Sequence, residues 1–144
     1  MLELLTREID LLVGRLRDFT PARYAAAALP FVDRAAVARH LAQQLVGFAG
    51  SDRQLPVLPP LASADLVAVT GADLAAARPT AEVAAAALAE VLLHRFDLDG
   101  SPPGRAAAAA VLAVLDPAPP ETGAVPAPPE RLLALARRRC PAWS

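Results

Sequence analysis

Alanine, the residue with the highest helix propensity, fills 35 of the 144 positions, and this constrains the fold more than any motif does. Aromatic residues make up only 4%, too few for the β-branched and aromatic faces on which sheets are built. The 55% hydrophobic content therefore describes Ala-rich helices whose backbones can approach closely. A chain of 144 residues is long enough for one domain with a single core.

The apolar periodicity agrees. Leu2, Leu5, Ile9, Leu12, Leu16 and Phe19 alternate spacings of three and four, one stripe of a helix over Leu2 to Phe19. Thr20-Pro21 reads as a cap followed by proline at the first helical position, starting a short helix through Tyr24 to Leu29. Asp33 can cap a helix over Arg34 to Phe48, with Val37, Leu41, Leu45 and Phe48 inward. Ser51 to Pro60, with three prolines, is a connector. Ser63 is a plausible cap for a third main helix reaching Arg78, with a weak point at Gly71. After Pro79-Thr80 a fourth main helix runs from Ala81 to about Phe96. Asp99 to Gly104 is a loop, and Arg105 to Leu115 a short apolar helix. Pro117 to Pro129 holds six prolines and reads as an extended polyproline-type segment. Glu130 to Arg139 can form one last helix. A strand at Leu66 to Thr70 is the local alternative, but one strand makes no sheet.

The expected fold is all-α: an antiparallel four-helix bundle with short extra C-terminal helices. The bundle domain covers residues 1–115, a Pro-rich connector 116–129, and a short helix and tail 130–144.

Several functions are disfavoured. All 14 basic residues are arginine, which with the heavy Ala and Pro use is the codon signature of a GC-rich bacterial genome. The net charge is −1, and no basic stripe with interleaved aromatics points to nucleic acid. The longest apolar run, Ala106 to Leu115, is half a membrane span. Glu3, Arg7, Glu8 and Asp10 interrupt the first leucines, unlike a signal peptide. A single cysteine leaves no internal disulfide or Cys-rich zinc site. The expectation is a cytoplasmic protein without membrane or nucleic-acid partners. Arg137-Arg138-Arg139-Cys140 would suit a reactive thiol, though a polar frayed tail accounts for the same residues. The Leu2–Phe19 stripe would serve a homodimer or a bundle core equally well.

The chain has two histidines, His40 and His94, each in an expected helix. Glu90 precedes His94 by one turn, which puts the two ~40° apart on one helical side. His40 sits at the edge of its own apolar stripe beside Val37 and Gln44. Facing helices would bring two imidazoles and a carboxylate together, a three-donor set that leaves positions open for water or substrate. Zn²⁺ suits it best, with Ni²⁺, Fe²⁺ or Co²⁺ also compatible. Asp97, one turn past His94, can hold an imidazole N–H from behind. A Glu and His one turn apart are also commonly a solvated helix pair, and a His flanking an apolar stripe is often simply packed.

The stretch AEVLLHRFDLDG, Ala89 to Gly100, resembles the E-V-x-V-H-x-x-D-L segment of the mycothiol-dependent maleylpyruvate isomerase N-terminal family, one of the DinB-like metal-binding four-helix bundles. Leu12 to Leu45 resembles that family's first two helices. The turn Phe19-Thr20-Pro21-Ala22-Arg23-Tyr24 stands for its L-T-P-A-x-W, and Val37-Ala38-Arg39-His40-Leu41-Ala42 for its V-x-x-H-L-A. Pro30-Phe31-Val32 replaces the family's P-G-W. The resemblance covers roughly residues 1–100. It implies one divalent metal on His40, Glu90 and His94, and mycothiol as co-substrate for isomerisation or S-transfer on a small electrophile. Arg53 and Arg95 would then be candidates to hold a substrate carboxylate. A different metal-dependent enzyme of secondary metabolism on the same bundle, and a non-catalytic scaffold or partner-binding module, are the alternatives.

Overall fold

The computed structural model describes residues 1–117 and 125–139. Cys140 and much of the segment expected to be extended lie outside them. Seven α-helices occur among the described residues: α1 (Leu2–Arg17), α2 (Pro21–Ala25), α3 (Arg34–Phe48), α4 (Ser63–Ala76), α5 (Ala81–Asp99), α6 (Arg105–Leu115) and α7 (Pro128–Arg139). The described chain is all-helical, without a strand, and the strand alternative at Leu66 to Thr70 lies inside α4.

Local chemistry sets the helix starts. The Thr20 side chain accepts from the Arg23 N–H at 3.1 Å, Asp33 from Ala36 at 2.8 Å and Thr80 from Val83 at 3.2 Å, each satisfying a donor the first turn leaves open. Ser63 is not a cap. A 3₁₀ turn over Pro60–Ala62 leads straight into α4, so Ser63 is already helical and Ala62 occupies the capping position without a side-chain bond. The helix expected to reach Leu29 stops at Ala25, because Ala26 turns extended (ψ 139°). Leu29-Pro30 is cis, and a tight turn closes through Phe31 N–H to Ala28 O at 2.8 Å. At the other end α5 continues past Phe96 to Asp99, where Gly100 takes φ 74° and returns its N–H to Phe96 O at 2.7 Å. Glycine carries no Cβ penalty in that left-handed position. The last helix starts at Pro128 rather than Glu130, since the first turn needs no proline N–H.

Helices α1 and α3 each pack on both α4 and α5, and side-chain partners fix their directions. Glu8 with Arg95, and Arg15 with Asp99, advance together along α1 and α5, so these helices are parallel. Ile9 against Gly71, and Arg17 against Asp65 at 3.7 Å, advance in opposite senses, so α1 and α4 are antiparallel. The connector after α3 runs back along it. Gln43 donates to Arg53 O and accepts from Leu55 N–H, both at 2.9 Å, and Arg39 donates to Leu55 O at 2.9 Å. Val57 to Pro60 then lie beside Asp33 and Ala36. Helix α4 thus begins where α3 begins, and the two run the same way.

The expected antiparallel arrangement is corrected accordingly: α1 with α5 and α3 with α4 are parallel neighbours. The physical reason is the proline-rich connector. It acts as a crossover strap, extended enough at ~3.3 Å per residue to return the length of α3 at ~1.5 Å per residue.

Helix α5 lies between the α1 and α3 side and a layer of α6 and α7. It is buried at 11 of its 19 positions, as expected for a helix apolar nearly all round. Leu132 of α7 is fully buried, so the last helix is docked onto α5 and α6. No helix among the described residues is long and apolar enough to cross a membrane.

Gly71, read as a weak point, is where α4 meets α1 most closely. A Cβ there would stand 2.9 Å from Ile9 Cγ2 and 3.1 Å from its Cδ1. Alanine would gain up to ~1 kcal/mol of helix propensity and cost about 1–3 kcal/mol through overpacking. Cγ2 sits on the branched, rotamer-stiff carbon of Ile9 and cannot swing clear. We expect Gly71→Ala to lower unfolding free energy by about 1 kcal/mol, read by urea denaturation. In an Ile9→Ala background, which removes both carbons, the same change should become stabilising. A stabilised single variant would refute the close contact.

Candidate metal centre

Helices α3 and α5 carry the histidines on facing sides. The His40 and His94 rings stack with centroids 5.4 Å apart and planes 29° from parallel. Two imidazoles on one tetrahedral zinc, with Zn–N about 2.0–2.1 Å, hold their centroids about 5 Å apart, so the pair fits a shared ion in this respect. Phe31 covers both rings, at 5.1 Å from His40 and 6.4 Å from His94. The short second helix and the turn at Pro30 bring it there. His40 is exposed on the outer side, whereas His94 has no exposed surface.

The protonation state of His94 follows from its surroundings. Its Nδ1 lies 2.6 Å from Glu90 O, one turn back. A carbonyl only accepts, so Nδ1 carries the hydrogen and Nε2 the lone pair, the tautomer a metal-binding histidine uses. Burial pushes its pKa down from 6.5 to about 3, with His40 adding to the fall and the Glu90 carbonyl opposing it. The His40 pKa is also lowered by burial. Both imidazoles are therefore neutral near pH 7, as ligation requires.

Glu90 is brought to the pair but on the other edge of the ring. Its Oε2 lies 3.6 Å from His94 Nδ1, while the lone pair is on Nε2. A side-chain rotation of Glu90 is needed before one ion can touch all three. Among the described residues no three His, Cys, Asp or Glu side chains form a group placed to hold a metal.

The imidazole N–H that Asp97 was expected to hold is directed to the Glu90 carbonyl instead. Asp97 Oδ2 is buried without a hydrogen-bond partner, and burial raises this carboxyl from 3.8 to about 6. The arginines stand elsewhere. Arg95 turns toward α1, donating to Glu8 at 2.9 Å and to Pro102 O at 3.4 Å. Arg53 is exposed on the strap, its carbonyl tied to Gln43.

One residue at the site went unsuspected: Phe31, whose place over both rings depends on the turn at Pro30 and is signalled by nothing near it in the sequence. No family model, curated protein or solved structure matches this chain.

Proposed function

We propose that this chain is a divalent-metal-dependent enzyme on a DinB-like four-helix bundle, using a thiol such as mycothiol to isomerise or S-transfer to a small electrophile. The observation that carries the metal part is the neutral imidazole pair of His40 and His94 at single-ion separation. Glu90, one turn from His94, supplies the third donor after rotation. A bound divalent ion would lower the pKa of a thiol co-substrate and give a thiolate near neutral pH. The chain's own part is to hold two neutral imidazoles with open positions between them and to shield one side with Phe31.

The thiol chemistry rests on the ordered motifs from Phe19 to Gly100, and the substrate class follows from them. A non-catalytic helical scaffold or partner-binding module is the second reading. What favours it is the Glu90 carboxylate at the Nδ1 edge of His94, away from the lone pair.

Metal analysis of untagged protein tests the first reading. We expect one equivalent of zinc or a similar ion. At a hundredfold excess over Kd, binding stabilises by about 2.7 kcal/mol, a rise of roughly 8 °C in Tm for a chain of this size. His94→Ala should abolish the rise. A substoichiometric metal content with no zinc-dependent shift would leave the scaffold reading. Mycothiol-dependent turnover of an electrophile then tests the thiol step separately.

A further inference from the structure

On the strap side of α3, a cavity of about 350 Å³ opens between the first turns of α3, the strap and the start of α4. Its size is at the small end for ligand sites. Val57, Leu58, Pro60 and Leu66 give it apolar walls, and Val57 is 82% exposed. Two polar side chains lining it are incompletely used. Arg39 donates one N–H to Leu55 O at 2.9 Å, but its Nε is buried without a hydrogen-bond partner. No carboxylate among the described residues forms an ion pair with it. Ser63 is only 7% exposed, and its hydroxyl makes no hydrogen bond among the described residues. Asp33 is the acid in the lining, and its Oδ1 is occupied by the Ala36 N–H at 2.8 Å.

A half-buried guanidinium without a counter-ion is costly, and a planar anion is the ligand its fork of donors matches. The apolar walls ask for a body behind that anion. We propose that this groove binds a small organic carboxylate, its head on Arg39 and Ser63 and its tail against the strap. The site is separate from the histidine pair, which faces α5, and does not depend on a metal.

The test follows backbone amide shifts of the full chain during titration with hexanoate, hexanamide and inorganic phosphate. Hexanoate should bind saturably and move the amides of residues 35–39 and 57–66. Hexanamide and phosphate should each bind at least tenfold more weakly, the first lacking the charge and the second the tail. Ala36→Leu, a helix-compatible change that fills the groove, should abolish hexanoate binding, and Ser63→Ala should weaken it several-fold. Three results would overturn the proposal: equal affinity for hexanamide, phosphate as tight as hexanoate, or hexanoate binding untouched by Ala36→Leu.

Discussion

Arg95→Ala is expected to remove about 3 kcal/mol of stability, the lower end of what breaking a buried ion pair costs. The Arg95 and Glu8 side chains are 9% and 12% exposed, and truncating the arginine leaves the Glu8 carboxylate desolvated between α1 and α5. The Pro102 carbonyl loses its donor at the same time. Much of the loss is the penalty of the orphaned acid, so Glu8→Leu in the Arg95→Met background should recover most of it, as apolar replacements of whole buried pairs often do. Urea unfolding of the two variants measures this. A loss under ~1 kcal/mol for Arg95→Ala, the size of an exposed pair, would mean that the arginine is free for another role, including the substrate contact first suggested for it.

Asp97→Asn should expose a pH dependence that the unsubstituted protein hides. The buried His94 has its pKa lowered from 6.5 to about 3, so between those values the unfolded chain takes up a proton that the folded chain refuses. Its contribution is intact above pH 6.5 and falls away as the pH drops, by about 1.4 kcal/mol per unit. Asp97 acts oppositely. Raised from 3.8 to about 6, it holds a proton in the folded chain that the unfolded one has released, so its contribution grows as pH falls from 6 toward 3.8. The two slopes nearly cancel between pH 6 and 4. Without the Asp97 carboxyl, unfolding free energy should fall by roughly 2 kcal/mol from pH 6.5 to 4 relative to the parent, measured by urea titration with chelator present. Parallel curves for the two proteins would contradict this assignment of the opposing protons.

The helices were legible because their signals are local. The Leu2–Phe19 periodicity, the Thr20, Asp33 and Thr80 caps and the Asp99–Gly104 loop can each be read within a few residues of where they act. The direction of the helices was not. Nothing near Glu8 announces Arg95, and the strap's return along α3 depends on Gln43 bonding to Arg53 and Leu55. At the site, spacing on α5 placed Glu90 and His94 together, and His40 does meet His94. Side-chain direction decided the rest. The i+4 geometry that puts Glu90 beside His94 also offers its backbone carbonyl to Nδ1, and helix-wheel reasoning does not distinguish that bond from shared ligation. Full burial of His94 was not legible because two of the rings packed against it, those of His40 and Phe31, come from segments far from it in the chain.

The parallel pairing of α1 with α5 also governs the order in which a nascent chain can fold. The Glu8–Arg95 and Arg15–Asp99 pairs join residues 87 and 84 positions apart, separations that delay contact formation. On the ribosome, α1 emerges before α4 and α5, with Leu5, Ile9, Leu12 and Leu16 uncovered. It can gain partial cover from α4, but its seat against α5 exists only after Asp99 has cleared the exit tunnel. Until then α1 is an amphipathic segment without its main partner, the kind of exposed apolar surface that chaperones bind.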